Sequence, residues 1–295
     1  MDACTLCPRM CGVNRAAGEK GYCGMDATIR AARAALHMWE EPCISGTRGS
    51  GAVFFSGCCL RCIFCQNFEI AEGNCAKEIS GERLSEIFLE LQEQGAANIN
   101  LVTAAHYVPA VIESLKKAKA QGMDLPVIYN SSGYERVETV QMLEEVVDVW
   151  LPDFKYMDSK LAFATSRAKD YPEVARAAIR EMMKAAGTCA YDEDGYIQKG
   201  VIVRHLILPG HTKNSIAVLD ELYGTYGDDL TISLMNQYTP LPQVRNIPDL
   251  NRRVTKREYE KVLDHALDLG ITQGFFQEGG TAKESFIPLF DYEGL

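Results

Sequence analysis

The sequence predicts an α/β chain built as a barrel, or partial barrel, of repeated strand–helix units, with a cysteine-rich module in front. Three observations predict it. From residue 51 onward, short apolar strands alternate with helices of about 10–15 residues, the pattern of right-handed βαβ units around a parallel sheet. The segments that follow the strands are polar or turn-forming, as at a barrel mouth. Residues 1–50 lack this rhythm and hold five of the 11 cysteines.

Each unit has its own signal. Residues 52–56 are a short apolar strand. The helix over 83–94 places Leu84, Ile87, Phe88 and Leu91 at i, i+3, i+4 and i+7, one apolar face. A strand over 98–103, a helix over 108–120, a strand over 125–129, a helix over 137–146 and a strand over 148–153 follow. The helix over 171–186 starts after Asp170 as N-cap, with Pro172 in its first turn. Residues 189–199 read as a β-hairpin with Asp194-Gly195 at its tip. A strand over 201–208, a helix over 215–226, a strand over 230–235, a helix over 256–269 and a last strand over 274–277 complete the chain. The expected domains are 1–50, loops around a metal leading into segment 31–39, and 51–295, the barrel. Active sites in this architecture sit at the C-terminal ends of strands. That directs attention to 57–65, 103–106, 130–133, 153–155, 209–211 and 236–240.

With 295 residues, 47% of them hydrophobic, a large core is affordable. The net charge of −10 argues against nucleic acid or an anionic membrane surface as partner, since phosphate binding needs a surplus of Lys and Arg. The start Met1-Asp2-Ala3-Cys4 has no basic run with an apolar stretch behind it. No window reaches the roughly 18 apolar residues of a membrane span. The expected location is the cytoplasm. Disulfides are rare there, so clustered cysteines point to metal or redox chemistry. Seven cysteines fall in two tight clusters, and Cys43, Cys59, Cys75 and Cys189 stand apart.

Cys58, Cys62 and Cys65 form C-x3-C-x2-C in the loop after the first barrel strand. Three thiolates can hold three irons of a cubane cluster and leave the fourth open to substrate, the open-position logic of catalytic metal sites. Cys59, Cys62 and Cys65 also form C-x2-C-x2-C, the start of a ferredoxin run, but Glu69 stands where its fourth cysteine belongs. A structural zinc site is a third reading, with Cys59 or Cys75 as fourth ligand. Beyond this loop, Asp153 and Lys155 form D-x-K at a strand end, both facing the mouth or paired in solvent. Asn130 and Ser132 end the preceding strand as turn residues or as ligands. Arg204 and His205 are strand neighbours and so face opposite sides. Gln237 and Tyr238 carry a weaker signal.

The cysteine loop, with an aromatic residue before its last cysteine, resembles the radical SAM superfamily. The longer segments Ser56-Gly57-Cys58, Cys62-Ile63-Phe64-Cys65-Gln66-Asn67, Leu151-Pro152-Asp153-Phe154-Lys155-Tyr156 and Val203-Arg204-His205-Leu206-Ile207-Leu208-Pro209-Gly210 resemble the pyruvate formate-lyase-activating-enzyme-like subgroup. So do Cys4-Thr5-Leu6-Cys7-Pro8-Arg9-Met10-Cys11-Gly12-Val13-Asn14-Arg15 and Ser233-Leu234-Met235-Asn236-Gln237-Tyr238. The similarity runs from residue 4 to about 278. It implies a partial (β/α)6 TIM-type barrel, a [4Fe–4S] cluster and S-adenosylmethionine as cofactors. It implies a 5′-deoxyadenosyl radical that abstracts hydrogen. It makes Phe64, Thr103, Asn130, Ser132, Asp153, Lys155 and Arg204 candidate contacts to S-adenosylmethionine, with the backbone near Phe64 against the adenine. Two positions depart from the pattern. Cys59 replaces the usual Asn, and Thr103-Ala104-Ala105 replaces a Gly-Gly-Glu that grips the methionyl amino group. The implied partners are a glycyl radical enzyme to be activated, or another peptide or small-molecule substrate, and a reductant such as flavodoxin or ferredoxin. A non-catalytic electron carrier is the competing class.

Cys4, Cys7, Cys11 and Cys23 form C-x2-C-x3-C-x11-C, a closed four-thiolate set. Zinc and a second iron–sulfur cluster both fit it. Either would staple a segment too short to build its own core.

Overall fold

The computed structural model describes residues 3–272, 274–277 and 288–295. Met1, Asp2 and residues 278–287 of the expected barrel domain lie outside the described residues. In chain order the elements begin with β1 (Arg30–His37), α1 (Pro42–Ser45), β2 (Ser50–Phe55), α2 (Phe68–Ala71) and β3 (Lys77–Glu78). Next come α3 (Gly81–Glu93), β4 (Ile99–Val102), α4 (Val108–Ala120), β5 (Val127–Ser131), α5 (Val137–Leu143) and β6 (Val149–Pro152). The rest are α6 (Ser159–Ser166), α7 (Tyr171–Ala186), β7 (Ala190–Tyr191), β8 (Ile197–Leu206), α8 (Thr212–Tyr226), β9 (Thr231–Met235), α9 (Lys256–Leu269) and β10 (Gly274–Phe276).

The strands β2, β4, β5, β6, β8, β9 and β10 lie side by side in that order, every pair parallel. This is the expected partial barrel, open between β10 and the β2 side. Helices cover its outer face. In α3, Ser80 caps the first turn and Leu84, Ile87, Phe88 and Leu91 are buried, the predicted stripe. They join one large core with Val53, Phe55, Leu101, Tyr129, Trp150 and Val203, the outward residues of the strands. The alternate residues face inward, because strand side chains alternate. Ile128, Val149, Leu151, Ile197 and Ile202 pack there on Cys43 and Ile44 of α1. Since His37 of β1 pairs with Ser50 at the start of β2, α1 plugs the N-terminal end of the barrel. The opposite end is left open.

Three local differences have physical causes. Segment 31–39 is largely the strand β1, antiparallel to β2, with a register shift between Ala31 and Arg33. Its Arg-Ala-Ala-Arg-Ala-Ala pattern has no period of two and high helix propensity, so only the β2 edge makes it a strand. The predicted hairpin and the strand after it share one continuous strand, β8, with β7 paired to its first half. Asp170 does occupy the N-cap of α7, but its carboxylate makes no capping bond. Oδ1 accepts from the Tyr134 hydroxyl at 2.7 Å instead. No helix among the described residues is long and apolar enough to cross a membrane.

Candidate active site

The open end of the barrel holds a cavity of about 700 Å³. Cys58, Cys62 and Cys65 line it, and so do Phe64, Thr103, Asn130, Ser132, Asp153, Lys155 and Arg204. Every residue that the sequence proposed for the first cluster and for S-adenosylmethionine thus borders one space. Of the other segments singled out, 209–211 does not reach the cavity, whereas Gln237 does. Tyr238 is buried behind it, packs on Phe64 at 6.0 Å between ring centroids and donates to the Leu250 carbonyl.

The cysteine loop is held from several sides. Gly57 opens it with φ +90°, and a Cβ there would lie 2.4 Å from Met25 Cγ and 2.9 Å from the Cys23 carbonyl. Only glycine allows both that backbone conformation and that close approach. Cys58 Sγ accepts from the Leu60 amide at 3.3 Å, and Cys62 Sγ accepts from the Ser166 hydroxyl at 3.1 Å. Gln66 Nε2 donates to the Gln237 carbonyl and ties the loop to the end of β9. Burial pushes the thiols of Cys58, Cys62 and Cys65 above the ordinary range. Metal binding there would therefore release protons. Among the described residues, no three His, Cys, Asp or Glu side chains converge as ligands of one ion. Three thiols on one loop at a cavity wall fit a cluster in which each iron takes its own cysteine.

Opposite the loop, Lys155 Nζ meets Asp153 Oδ2 at 2.5 Å. Burial opposes the ammonium charge, but the Asp153 carboxylate and the Cys62 and Cys65 sulfurs together hold Lys155 above the usual lysine range. The pair is positioned by Tyr171, the first residue of α7. Its hydroxyl accepts from the Lys155 amide and lies 2.8 and 2.9 Å from the carbonyls of Ser132 and Asp153. Thr103 follows directly after β4 with φ +62°. A β-branched residue in the left-handed region is a strained outlier, of the kind found at functional sites. Its amide donates to the Asn130 carbonyl at 3.0 Å.

Arg204 points into the barrel, and His205 points out of it. His205 is fully buried with Nδ1 at 2.7 Å from the Phe154 carbonyl. The Arg204 guanidinium is already engaged by Glu40 and Glu41. Sequence reasoning missed these two carboxylates as site residues. They lie between β1 and α1, in the segment assigned to the cysteine-rich module, and only the inward path of that segment brings them to the cavity. Two adjacent acids directly before Pro42 were the sole available signal.

Cys59 takes the other side of the loop. It is buried, does not border the cavity, and contacts the Tyr134 carbonyl at 3.8 Å. Its thiol donates to Cys7, which lowers the Cys7 thiol and raises that of Cys59. Glu135 is buried beside them, and burial pushes its carboxyl up to about 8. Cys4, Cys7 and Cys23 are buried and Cys11 is exposed. Arg9 clamps this module to the barrel. It donates to the carbonyls of Cys59, Arg167 and Ser166 at 2.9, 2.6 and 2.9 Å and lies over Tyr22.

No family model matches the chain. An uncharacterised protein of Methanocaldococcus jannaschii is 29% identical over 270 residues, covering 89% of this chain and 74% of that protein. Among solved structures, HydG, a maturase of the [FeFe]-hydrogenase, aligns with a TM-score of 0.53 at 15% identity, over 78% of this chain and 52% of HydG. Streptococcus suis SuiB bound to S-adenosylmethionine aligns at 0.49 and 13% identity, over 76% of this chain and 49% of SuiB. The chain thus spans about half the length of these two structures. The likeness to HydG shows that the two proteins share the partial-barrel fold.

Proposed function

We propose that this chain is a radical SAM enzyme in which Cys58, Cys62 and Cys65 hold a [4Fe–4S] cluster. The observation that carries the reading is the convergence of those three thiols, the Asp153–Lys155 pair and the strained Thr103 on one cavity. When bound, the cluster and S-adenosylmethionine supply a one-electron cleavage that yields a 5′-deoxyadenosyl radical able to remove hydrogen from a substrate. The chain's own residues bind and orient. Asp153 offers a carboxylate to the methionyl ammonium or to a ribose hydroxyl, and Lys155 an ammonium to the methionyl carboxylate. Asn130 and Ser132 add hydrogen-bonding groups at the end of β5. Phe64, backed by Tyr238, gives the adenine an apolar wall. Thr103 stands where relatives present a carboxylate, so its backbone and hydroxyl replace that grip.

The finer reading is an activase that draws hydrogen from a glycine of a partner enzyme, with flavodoxin or ferredoxin as reductant. It rests on the subgroup resemblance, an analogy of fold and motif. A small molecule or another peptide is the second reading, favoured by the buried polar floor of the cavity. Cys4, Cys7, Cys11 and Cys23 are proposed to hold zinc or a second iron–sulfur cluster.

The test is anaerobic reconstitution, reduction with dithionite and addition of S-adenosylmethionine. Release of 5′-deoxyadenosine is expected, and its loss in Cys58→Ser. A reduced, iron-loaded wild-type protein that releases none would sink the proposal.

A further inference from the structure

The cavity wall also carries a group of charged side chains, Glu40, Glu41 and Arg204, that the cleavage of S-adenosylmethionine leaves unused. Glu41 and Arg204 form a closed fork, Oε1 to Nε at 2.8 Å and Oε2 to one terminal nitrogen at 2.5 Å. Glu40 shares only that same terminal nitrogen. Its Oε1 accepts from Asn100 Nδ2 at 3.1 Å and Asn130 Nδ2 at 3.5 Å. The side chains of Arg204, Glu40 and Glu41 are 12%, 8% and 6% exposed, so water screens them little. Asn100 is wholly buried, and its Oδ1 has no hydrogen-bond partner. Turning the amide over would not help, because Oδ1 would then face the Glu40 carboxylate.

Among the described residues, the charged side chains on the cavity wall are Glu40, Glu41, Asp153, Lys155 and Arg204. Three carboxylates face two cations, a surplus of one negative charge. Asp153 belongs to Lys155 and Glu41 to Arg204, so the surplus falls on Glu40. A [4Fe–4S]2+ core with three thiolates carries one net negative charge and S-adenosylmethionine one net positive charge. Those two cancel and leave Glu40 unmatched. A buried surplus charge is costly until a counter-charge meets it.

We propose that Glu40 is the specificity-determining residue of the substrate pocket and receives a cationic nitrogen group of the substrate, an ammonium or a guanidinium. Such a group has several N–H donors. These donors meet the carboxylate of Glu40, which lines the cavity, whereas Asn100 sits behind it. The same floor repels carboxylates and phosphates. The cation belongs to a free amine or to a Lys or Arg side chain of a peptide. This inference rests on the reading of the cavity as a radical SAM site.

The probes are n-butylammonium against n-butanol, and an end-capped Gly-Lys-Gly peptide against its norleucine counterpart. Calorimetry uses the anaerobically reconstituted protein with S-adenosylmethionine. The cationic member of at least one pair should bind about tenfold or more tightly than its neutral partner, the discrimination of a charge-assisted hydrogen bond. The pair that shows it identifies the source. Glu40→Gln should abolish the preference, and Glu40→Asp should retain part of it. Arg204 keeps Glu41 in both variants, which preserves its pairing. No preference in wild type for either pair, or full preference in Glu40→Gln, would overturn the inference. Formation of 5′-deoxyadenosine is read in the same samples. If it forms and the preference is absent, this inference alone fails. If none forms, the underlying enzymatic reading fails.

Discussion

Acidification should destabilise this protein through His106, and His106→Gln should remove that share of the loss. The imidazole is 2% exposed, in the loop after β4. Nε2 lies 2.7 Å from the Ser56 carbonyl, directly before the cysteine loop. A carbonyl only accepts, so Nε2 carries the proton and Nδ1 is the bare nitrogen. Nδ1 is buried with no partner. A second proton there would meet no acceptor. Burial first, and the Arg15 charge as a smaller cause, hold the imidazole down at about 3 against the opposing Ser56 bond. The unfolded value is about 6.5. The folded value is the lower one, so this stability is complete above about pH 6.5 and drains away as pH falls toward 3. Linkage between those two values gives a loss of about 0.1 kcal/mol at pH 7.5, about 1.4 at pH 5.5 and about 2.7 at pH 4.5. Urea unfolding of reconstituted protein at pH 7.5 and 5.5 measures it. The wild type should lose about 1.4 kcal/mol more than His106→Gln over that interval. The Gln amide can still donate to Ser56. His205, held at about 4 mainly by burial, contributes equally to both proteins and cancels. A wild-type-minus-variant difference that stays flat would refute the neutral, depressed imidazole.

Two further outcomes follow from geometry. Cys59→Ala should keep the iron of the first cluster and its electron resonance signal in the presence of S-adenosylmethionine, because Cys59 faces Cys7 and not the cavity; loss of that signal would make Cys59 a ligand. Gly133→Ala should destabilise the fold by about 2–5 kcal/mol, from the left-handed backbone together with overpacking. Its φ is +71°, and the new Cβ would sit 2.0 Å from the Asp153 carbonyl oxygen. Wild-type stability in a urea titration would show that this contact can relax.

What the sequence made legible, and what it hid, divides along one physical line. Features written in a local period or spacing were readable. The helix stripe of α3, the alternation of strands and helices and the spacing C-x3-C-x2-C of the three thiols depend on neighbours a few residues apart. Even the D-x-K pair was readable, since Asp153 follows directly after β6 and so faces the barrel mouth. What was hidden depends on where a segment without period travels. Ala-rich β1 carries no strand signal, yet it pairs with β2 from Ala31 to His37. That pairing fixes the next turn of chain at the closed end of the barrel and drives Glu40 and Glu41 inward onto Arg204. By resemblance alone, Arg204 is a contact to S-adenosylmethionine. Read with its two carboxylates, it is satisfied, and the pocket floor has the opposite sign. The same holds for Cys59. Spacing starts a ferredoxin run at Cys59 that Glu69 breaks off, and the fold sets Cys59 against Cys7, off the cavity. The chemistry of the cavity is therefore local in origin at its rim, where the thiols and Asp153–Lys155 follow strand ends. It is non-local at its floor, where the N-terminal segment decides the charge that a substrate must meet.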